Sequence, residues 1–195
     1  MRLVVATGNP HKVSELGAML VGHELVGLPE HLPTPEETGA TFAENALIKA
    51  HAAADALGAA VIADDSGVES AALGGAPGVR SARWAGPGAD DEANLRKLLA
   101  QAPAGDALAY VCAIAFVDPL AGEAWTVEGR CTGTLDGHPR GANGFGYDPA
   151  FLPDDVVDPA RPGRTMAELE PLEKAAISHR GRAVAALLRR LEKRG

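Results

Sequence analysis

Apolar and polar positions along the first third of the chain predict a strand followed by two helices. Leu3–Thr7, which is apolar up to Ala6, is typical of a buried strand, and Asn9 is suited to cap the helix that follows it. Thr41–Glu44 has the pattern of a capping box, which predicts a second helix that continues to about Leu57 and ends at Gly58. The buried face of the first helix is predicted to contain Val13, Leu16 and Leu20.

The rest of the chain combines further helices with two long apolar strands. The pattern predicts a helix over Asp90–Gln101, strands over Leu108–Val117 and Ala124–Thr132, and a last helix over about Ser178–Lys193. A short segment with Asp, Pro and Gly joins the two strands and predicts a hairpin. Since strands alternate with helices early and pair directly later, we expect an α/β fold with a mixed sheet flanked by helices.

One apolar strand leads directly into two adjacent acids. Ala60–Ala63 is followed by Asp64, Asp65, Ser66 and Gly67. Ligands usually bind at strand ends in open α/β sheets, and adjacent carboxylates resist burial unless a cation, a donor or a shared proton compensates. A simple Asx-type turn that closes the strand accounts for the same residues. This segment alone leaves both interpretations open.

The junction between the first strand and the first helix has features of an anion site. Backbone N–H groups and the positive end of the helix dipole lie there, and Gly8 allows a ligand to approach the backbone. Lys12 adds a full charge, although a cation at this position is unfavourable for the helix itself. The segment is not a Walker A loop. A capped helix start without a ligand is the alternative interpretation.

Further acidic, basic and aromatic residues are candidates for a binding site. Glu36 and Glu37, taken with the two aspartates, provide the hard oxygen ligands that suit Mg²⁺ together with substrate phosphates. Lys174 precedes the last helix and the pair His179 and Arg180 lies at its predicted start, where their donors could bind the carbonyl oxygens of a base. Phe145 lies between glycines and could stack on a purine. A solvated helix face and a simple turn are the competing interpretations.

Composition and charge restrict the class of protein. A formal net charge of −8 argues against broad binding of nucleic acid, although a local basic cluster can still hold a small polyanion. The sequence has neither a signal peptide nor a membrane span, so we expect a cytoplasmic protein. Cys112 and Cys131 have no metal-site spacing and are expected to be reduced structural thiols.

Six segments in order over nearly the whole chain resemble the inosine/xanthosine triphosphate pyrophosphatase family, also called noncanonical purine NTP pyrophosphatases. The agreement of six separate motifs makes the resemblance highly specific. The matching segments are Ala6–Lys12, Glu36–Ala50, Ala63–Gly67, Leu73–Arg83, Gly144–Pro149 and Glu173–Gly181.

This resemblance implies Mg²⁺-dependent hydrolysis of ITP, dITP and XTP to the monophosphate and pyrophosphate, which cleanses the nucleotide pool. It also implies a single elongated, bilobed α/β domain over residues 1–195, with the nucleotide in a central cleft, and a homodimer. Two rival interpretations remain: a pyrophosphatase that prefers pyrimidine or modified nucleotides, and a module that senses nucleotides without turnover. We hypothesise that a steric or polar conflict with its 2-amino group excludes GTP.

The roles implied by the resemblance fall into three groups. Asp65 is the implied proton acceptor and a metal ligand together with Glu37, and we interpret Asp64 as a supporting acid. The implied triphosphate contacts are Thr7, Gly8, Asn9, Pro10, His11 through its backbone, Lys12, Lys49, Ser66 and Lys174. The implied base contacts are Phe145, Gly146, Tyr147, Asp148, His179 and Arg180.

Overall fold

The computed structural model describes residues 1–29, 31–155 and 157–194, which contain a six-stranded sheet and five α-helices. The strands are β1 (Arg2–Val5), β2 (Glu24–Gly27), β3 (Val61–Ser70), β4 (Ala107–Asp118), β5 (Glu123–Leu135) and β6 (Phe151–Pro153). The helices are α1 (Pro10–Met19), α2 (Phe42–Leu57), α3 (Asp91–Gln101), α4 (Pro171–Ile177) and α5 (His179–Glu192).

The strand order is β2-β1-β3-β4-β5-β6. Strand β1 pairs in parallel with β2 and β3, whereas β5 pairs antiparallel with β6. The predicted mixed α/β sheet is therefore confirmed, and the predicted hairpin strands are β4 and β5, which are neighbours in the sheet.

Local capping residues set the ends of the first two helices. The Asn9 side chain accepts from the backbone N–H of His11 at 2.9 Å and caps α1. Thr41 and Glu44 form the predicted capping box of α2, with each side chain accepting from the backbone of the other. Gly58 ends α2 in the left-handed conformation at φ +59°, which a glycine adopts without strain. These predictions are confirmed.

Two details of the predicted pattern are wrong. Val13 is 38% exposed, because α1 contacts the core only from Leu16, one turn later. Strand β3 does not end at the acids but continues through them to Ser70. The turn interpretation therefore fails, and the two carboxylates belong to an extended strand in which successive side chains point to opposite faces.

The chain forms two compact units, each with its own hydrophobic core. Unit 1 comprises Met1–Asp65, Cys112–Gly129 and Arg182–Gly195, and unit 2 comprises Ser66–Val111 and Arg130–Gly181. The core of unit 1 includes Leu3, Leu16, Ile62, Ile114, Phe116 and Leu187. The core of unit 2 includes Val68, Leu98, Tyr110, Leu135, Phe151 and Met166. Among the described residues, no helix is long and apolar enough to cross a membrane.

Candidate functional site

Two carboxylates of unit 1 contact the same ammonium group. Lys49 Nζ lies 2.7 Å from Glu37 Oε1 and 3.4 Å from Asp65 Oδ1. Lys49 and Asp65 are both buried, at 6% exposure each. The second oxygen of Asp65 accepts from Asn45 Nδ2 at 3.2 Å. The Asp65 carboxylate is thus held at both oxygens in a site that largely excludes water.

Helix α2 positions this cluster. Asn45 and Lys49 are one helical turn apart, so both side chains project from the same face towards Asp65. Asn45 Oδ1 also accepts from the backbone N–H of Gly39 at 2.7 Å, which fixes the segment that carries Glu37. A Cβ at position 39 would lie 2.7 Å from Asn45 Oδ1, so this approach requires glycine.

The neighbouring acid, Asp64, is held by another lysine. Lys12 Nζ lies 2.9 Å from Asp64 Oδ2, and the Asp64 side chain is fully buried. Lys12 belongs to the first turn of α1, whereas Asn45 and Lys49 belong to α2. The alternation of side chains along β3 therefore gives each aspartate a different helix as its partner.

The start of α1 keeps the geometry expected of an anion site. Thr7 Oγ1 accepts from the backbone N–H of Asn9 at 3.2 Å. A Cβ added at Gly8 would have no described atom within 4 Å, so the backbone there is open to approach. His11 is exposed, and its backbone N–H is bound by the cap of Asn9. Helix α1 begins at Pro10, as predicted.

Burial and charge shift the proton affinities of this cluster. Burial raises the pKa of Asp65, and the charge of Glu37 raises it further, against the opposing effects of Lys49, Lys12 and Asn45. Burial alone would lower the pKa of Lys49, but the charge of Asp65 and the hydrogen bond with Glu37 outweigh it and raise that pKa. A carboxylate with raised proton affinity beside a permanent cation is suited to accept a proton from water.

The donor set fits a hard divalent cation bound jointly with phosphates. Glu37 and Asp65 direct oxygens at one positive group, which is the chemistry that Mg²⁺ prefers. The described residues contain no group of three or more His, Cys, Asp or Glu side chains that would hold a metal by themselves. Glu36 is exposed and is not part of the cluster.

A second cluster lies in unit 2 and is centred on Asp148. Asp148 Oδ2 accepts from Lys174 Nζ at 2.8 Å and from the backbone N–H of Phe145 at 2.9 Å. Asp148 Oδ1 accepts from the Tyr110 hydroxyl at 3.1 Å. Asp148 and Lys174 are buried. One carboxylate therefore fixes a lysine and the segment that carries Phe145.

Phe145 is half-buried and lies under two cations. Lys174 Nζ is 5.0 Å and Arg180 Cζ is 5.8 Å from the centre of its ring. The flanking glycines have positive φ, +75° at Gly144 and +65° at Gly146, and a Cβ at Gly144 would collide with the Asp148 carboxylate. The glycines are thus required for the conformation that presents the ring.

His179 and Arg180 begin α5 and are both buried. The His179 ring stacks on Tyr110, with centroids 4.5 Å apart and an interplanar angle of 8°. Arg180 Nη2 donates to Ser66 Oγ at 2.9 Å. The structure therefore brings Ser66 to the basic pair of unit 2.

Two predicted site residues have their contacts within unit 2. The Tyr147 ring belongs to the core of unit 2, and its hydroxyl donates to the Ser81 carbonyl at 2.7 Å. Lys174, a predicted triphosphate contact, lies beside Phe145 and Asp148.

Sequence reasoning missed three residues of these clusters. They are Asn45, Tyr110 and Asp91, whose carboxylate accepts from the Gly146 backbone N–H at 2.9 Å. Asn45 was detectable, because it lies one turn before Lys49 and is a polar residue on the face that the helix buries. Tyr110 sits in a continuous apolar strand and gave no signal.

Comparisons with known proteins give a consistent result. A family model described as the Ham1 family matches residues 3–190. A dITP/XTP pyrophosphatase of Cutibacterium acnes is 50% identical over 201 residues, which cover 96% of this chain and 94% of the relative. A dITP/XTP pyrophosphatase of Streptomyces coelicolor is 48% identical over 197 residues, with 96% and 95% covered. The solved structure of a HAM1 protein from Coxiella burnetii superposes with a TM-score of 0.86 at 39% identity and covers 99% of both chains.

Proposed function

The chain belongs to the Ham1 family and is an enzyme, a nucleoside triphosphate pyrophosphatase, and from this premise we propose that it hydrolyses noncanonical purine nucleoside triphosphates. The proposed substrates are ITP, dITP and XTP, and the products are the nucleoside monophosphate and pyrophosphate. The observation that carries this proposal is the buried cluster in which Glu37 and Asp65 share Lys49. Relatives named dITP/XTP pyrophosphatase support dITP and XTP among these substrates.

In this proposal Asp65 is the base that activates water. Lys49 and Asn45 hold its two oxygens, and this fixed orientation suits it to take a proton as water attacks the α-phosphorus. Lys49 and Lys12 offset charge on the phosphates, and the open backbone at Gly8 and the start of α1 add N–H donors. These contacts also stabilise the negative charge that accumulates on the leaving pyrophosphate.

Glu37 and Asp65 are the proposed ligands of Mg²⁺. The bound ion would supply charge neutralisation for the triphosphate and lower the pKa of attacking water. Lys49 contacts both acids and holds the two carboxylates close to each other. This arrangement leaves the remaining coordination positions to phosphate oxygens and water.

The cluster of unit 2 is proposed to recognise the base. Phe145 offers a ring face for stacking, and donors from His179 and Arg180 suit a 6-oxo group. An adenine amino group would leave such donors unpaired, which is costly in a buried site. We also propose that the protein acts in the cytoplasm, where the nucleotide pool lies. We propose that it forms a homodimer.

A substrate panel tests the function. Purified protein with Mg²⁺ is given ITP, dITP, XTP, ATP, GTP and pyrimidine triphosphates, and pyrophosphate and phosphate are measured separately. The proposal expects pyrophosphate release with a strong preference for ITP, dITP and XTP, and loss of turnover when Mg²⁺ is removed. Release of phosphate alone, or no preference over ATP and GTP, would overturn it. Binding of ITP without consumption would favour a nucleotide sensor.

A further inference from the structure

Tyr110 stacks on two other aromatic rings of unit 2. Its ring contacts those of Phe151 and His179, with centroids 4.5 Å apart in each pair. The interplanar angle is 29° to Phe151 and 8° to His179, so the imidazole is almost parallel to the phenol. Tyr110 is only 6% exposed and is part of the hydrophobic core. The stack joins that core directly to the first residue of α5.

The Tyr110 hydroxyl connects the same ring to the second cluster. It donates to Asp148 Oδ1 at 3.1 Å, while Oδ2 of that carboxylate holds Lys174 and the backbone of Phe145. Burial raises the pKa of Tyr110 well above its usual value, and the charge of Asp148 adds to the effect. The hydroxyl therefore remains protonated at neutral pH and acts as a donor.

We propose that Tyr110 is a positioning residue for purine recognition, which holds the His179 imidazole by stacking and the Asp148 carboxylate by a hydrogen bond. This role rests on the proposed function, because it assigns Tyr110 to the site that recognises the base. One side chain in the core then controls two of the groups that meet the purine. Tyr110 itself makes no contact with substrate in this proposal.

The two contacts act on different aspects of recognition. An imidazole donates in the plane of its ring, and its χ2 torsion is soft, so a parallel neighbour sets the direction of its N–H groups. The direction of those donors decides which purine edge they match. The hydroxyl instead acts through Asp148, which holds Phe145 and Lys174 in position. In this proposal the position of these two residues affects the binding of all purines equally.

Two substitutions separate the contacts. Tyr110→Phe keeps the stack and removes the donor to Asp148, so KM for ITP should rise about tenfold while kcat stays within about twofold. The ratio of kcat/KM for ITP over ATP should be unchanged in this variant. Tyr110→Leu removes the stack as well as the donor. We therefore expect the same rise in KM and, beside it, a fall of about fivefold in the ratio of kcat/KM for ITP over ATP.

A matched control accounts for lost stability. Thr165→Val removes another buried hydroxyl of unit 2, which donates to the Arg140 carbonyl at 2.8 Å. It should lower Tm as Tyr110→Phe does but leave KM and the ITP-to-ATP ratio unchanged. If the Tyr110 variants have a lower Tm but an unchanged KM and ITP-to-ATP ratio, as expected for this control, the proposal is overturned. If Tyr110→Leu does not fold, the KM of Tyr110→Phe decides.

An NMR measurement tests the stack without turnover. The C2 proton of His179, assigned from a His179→Gln spectrum, should shift in Tyr110→Leu because the ring current of the tyrosine is lost, and should keep its position in Tyr110→Phe. An unchanged resonance in Tyr110→Leu would overturn the positioning of His179. If the wild-type enzyme shows no preference for ITP, the proposed function fails. If the wild type prefers ITP and the Tyr110 variants have the same KM and the same preference, only the role of Tyr110 is rejected.

Discussion

Asp64 and Asp65 are adjacent in β3 but are held by lysines from different helices. Asp64 Oδ2 lies 2.9 Å from Lys12 Nζ, and Asp65 Oδ1 lies 3.4 Å from Lys49 Nζ. Each buried acid therefore has its own cation, and the repulsion between neighbouring carboxylates is offset at both positions. The arrangement also gives them different surroundings, because Asp65 shares its lysine with a second carboxylate, that of Glu37.

Asp65→Asn should abolish turnover and largely preserve binding of the nucleotide. The amide keeps the shape of the carboxylate but cannot accept a proton, and loss of a general base costs about 10²–10⁴-fold. Steady-state release of pyrophosphate measures the first effect, and calorimetric titration with ITP measures the second. Turnover like that of the wild type would show that the base lies elsewhere.

Asp64→Asn should reduce stability far more than turnover. The substitution removes the partner of a mostly buried lysine, which costs about 3 kcal/mol, while turnover stays within about tenfold. Urea unfolding compares it with Glu92→Gln, a control at the exposed pair with Arg96, which should cost below about 0.5 kcal/mol. If Asp64→Asn loses as much activity as Asp65→Asn, Asp64 is catalytic rather than supporting.

Phe145→Ala should weaken binding of every purine nucleotide to the same degree. Stacking on an aromatic ring depends little on the identity of the base, so Kd should rise about tenfold or more for ITP, XTP and GTP alike. The measurement is best made in the Asp65→Asn background, where the ligand is not consumed. A loss confined to one base would contradict a stacking role and would indicate that the ring discriminates.

Glu173→Gln should lower Tm at neutral pH but not in strong acid. Arg164 binds Glu173 through two hydrogen bonds of 2.8 and 2.9 Å and lowers the pKa of that carboxyl from 4.5 to about 2. A carboxyl with a lowered pKa in the folded state stabilises the fold above pH 4.5 and loses this contribution as the pH falls towards 2. Thermal melts of both proteins from pH 7 to pH 2 should therefore converge. A difference independent of pH would point to packing instead.

The sequence predicts those features that short segments determine by themselves. Asn9 and the Thr41–Glu44 box fix helix starts through contacts within a few residues, and the structure has both. The family resemblance, now confirmed by the Ham1 family model, rests on such segments taken in order. The roles of the individual site residues stay predictions until the variants above are measured.

Features that depend on distant partners were not predicted. Strand β3 continues beyond Asp65 because its neighbouring strands keep the backbone extended. Strands β2 and β6 have four and three residues, which is too short for the alternation of apolar and polar residues to be recognised. Tyr110 lies 38 positions from Asp148, and nothing local in an apolar strand indicates that its hydroxyl has an acidic partner. Val13 has the right spacing but lies a turn ahead of the core.

Strand β3 runs through both acids, so the number of residues before them determines which lysine each acid faces. Side chains along a strand alternate strictly, so insertion or deletion of one residue between Val61 and Asp64 would reverse the parity of everything that follows. A deletion there would move Asp65 to the position that now faces Lys12 and would place Ser66 opposite Lys49. The carboxylate that shares Lys49 with Glu37 would be lost, although both aspartates would remain in the sequence.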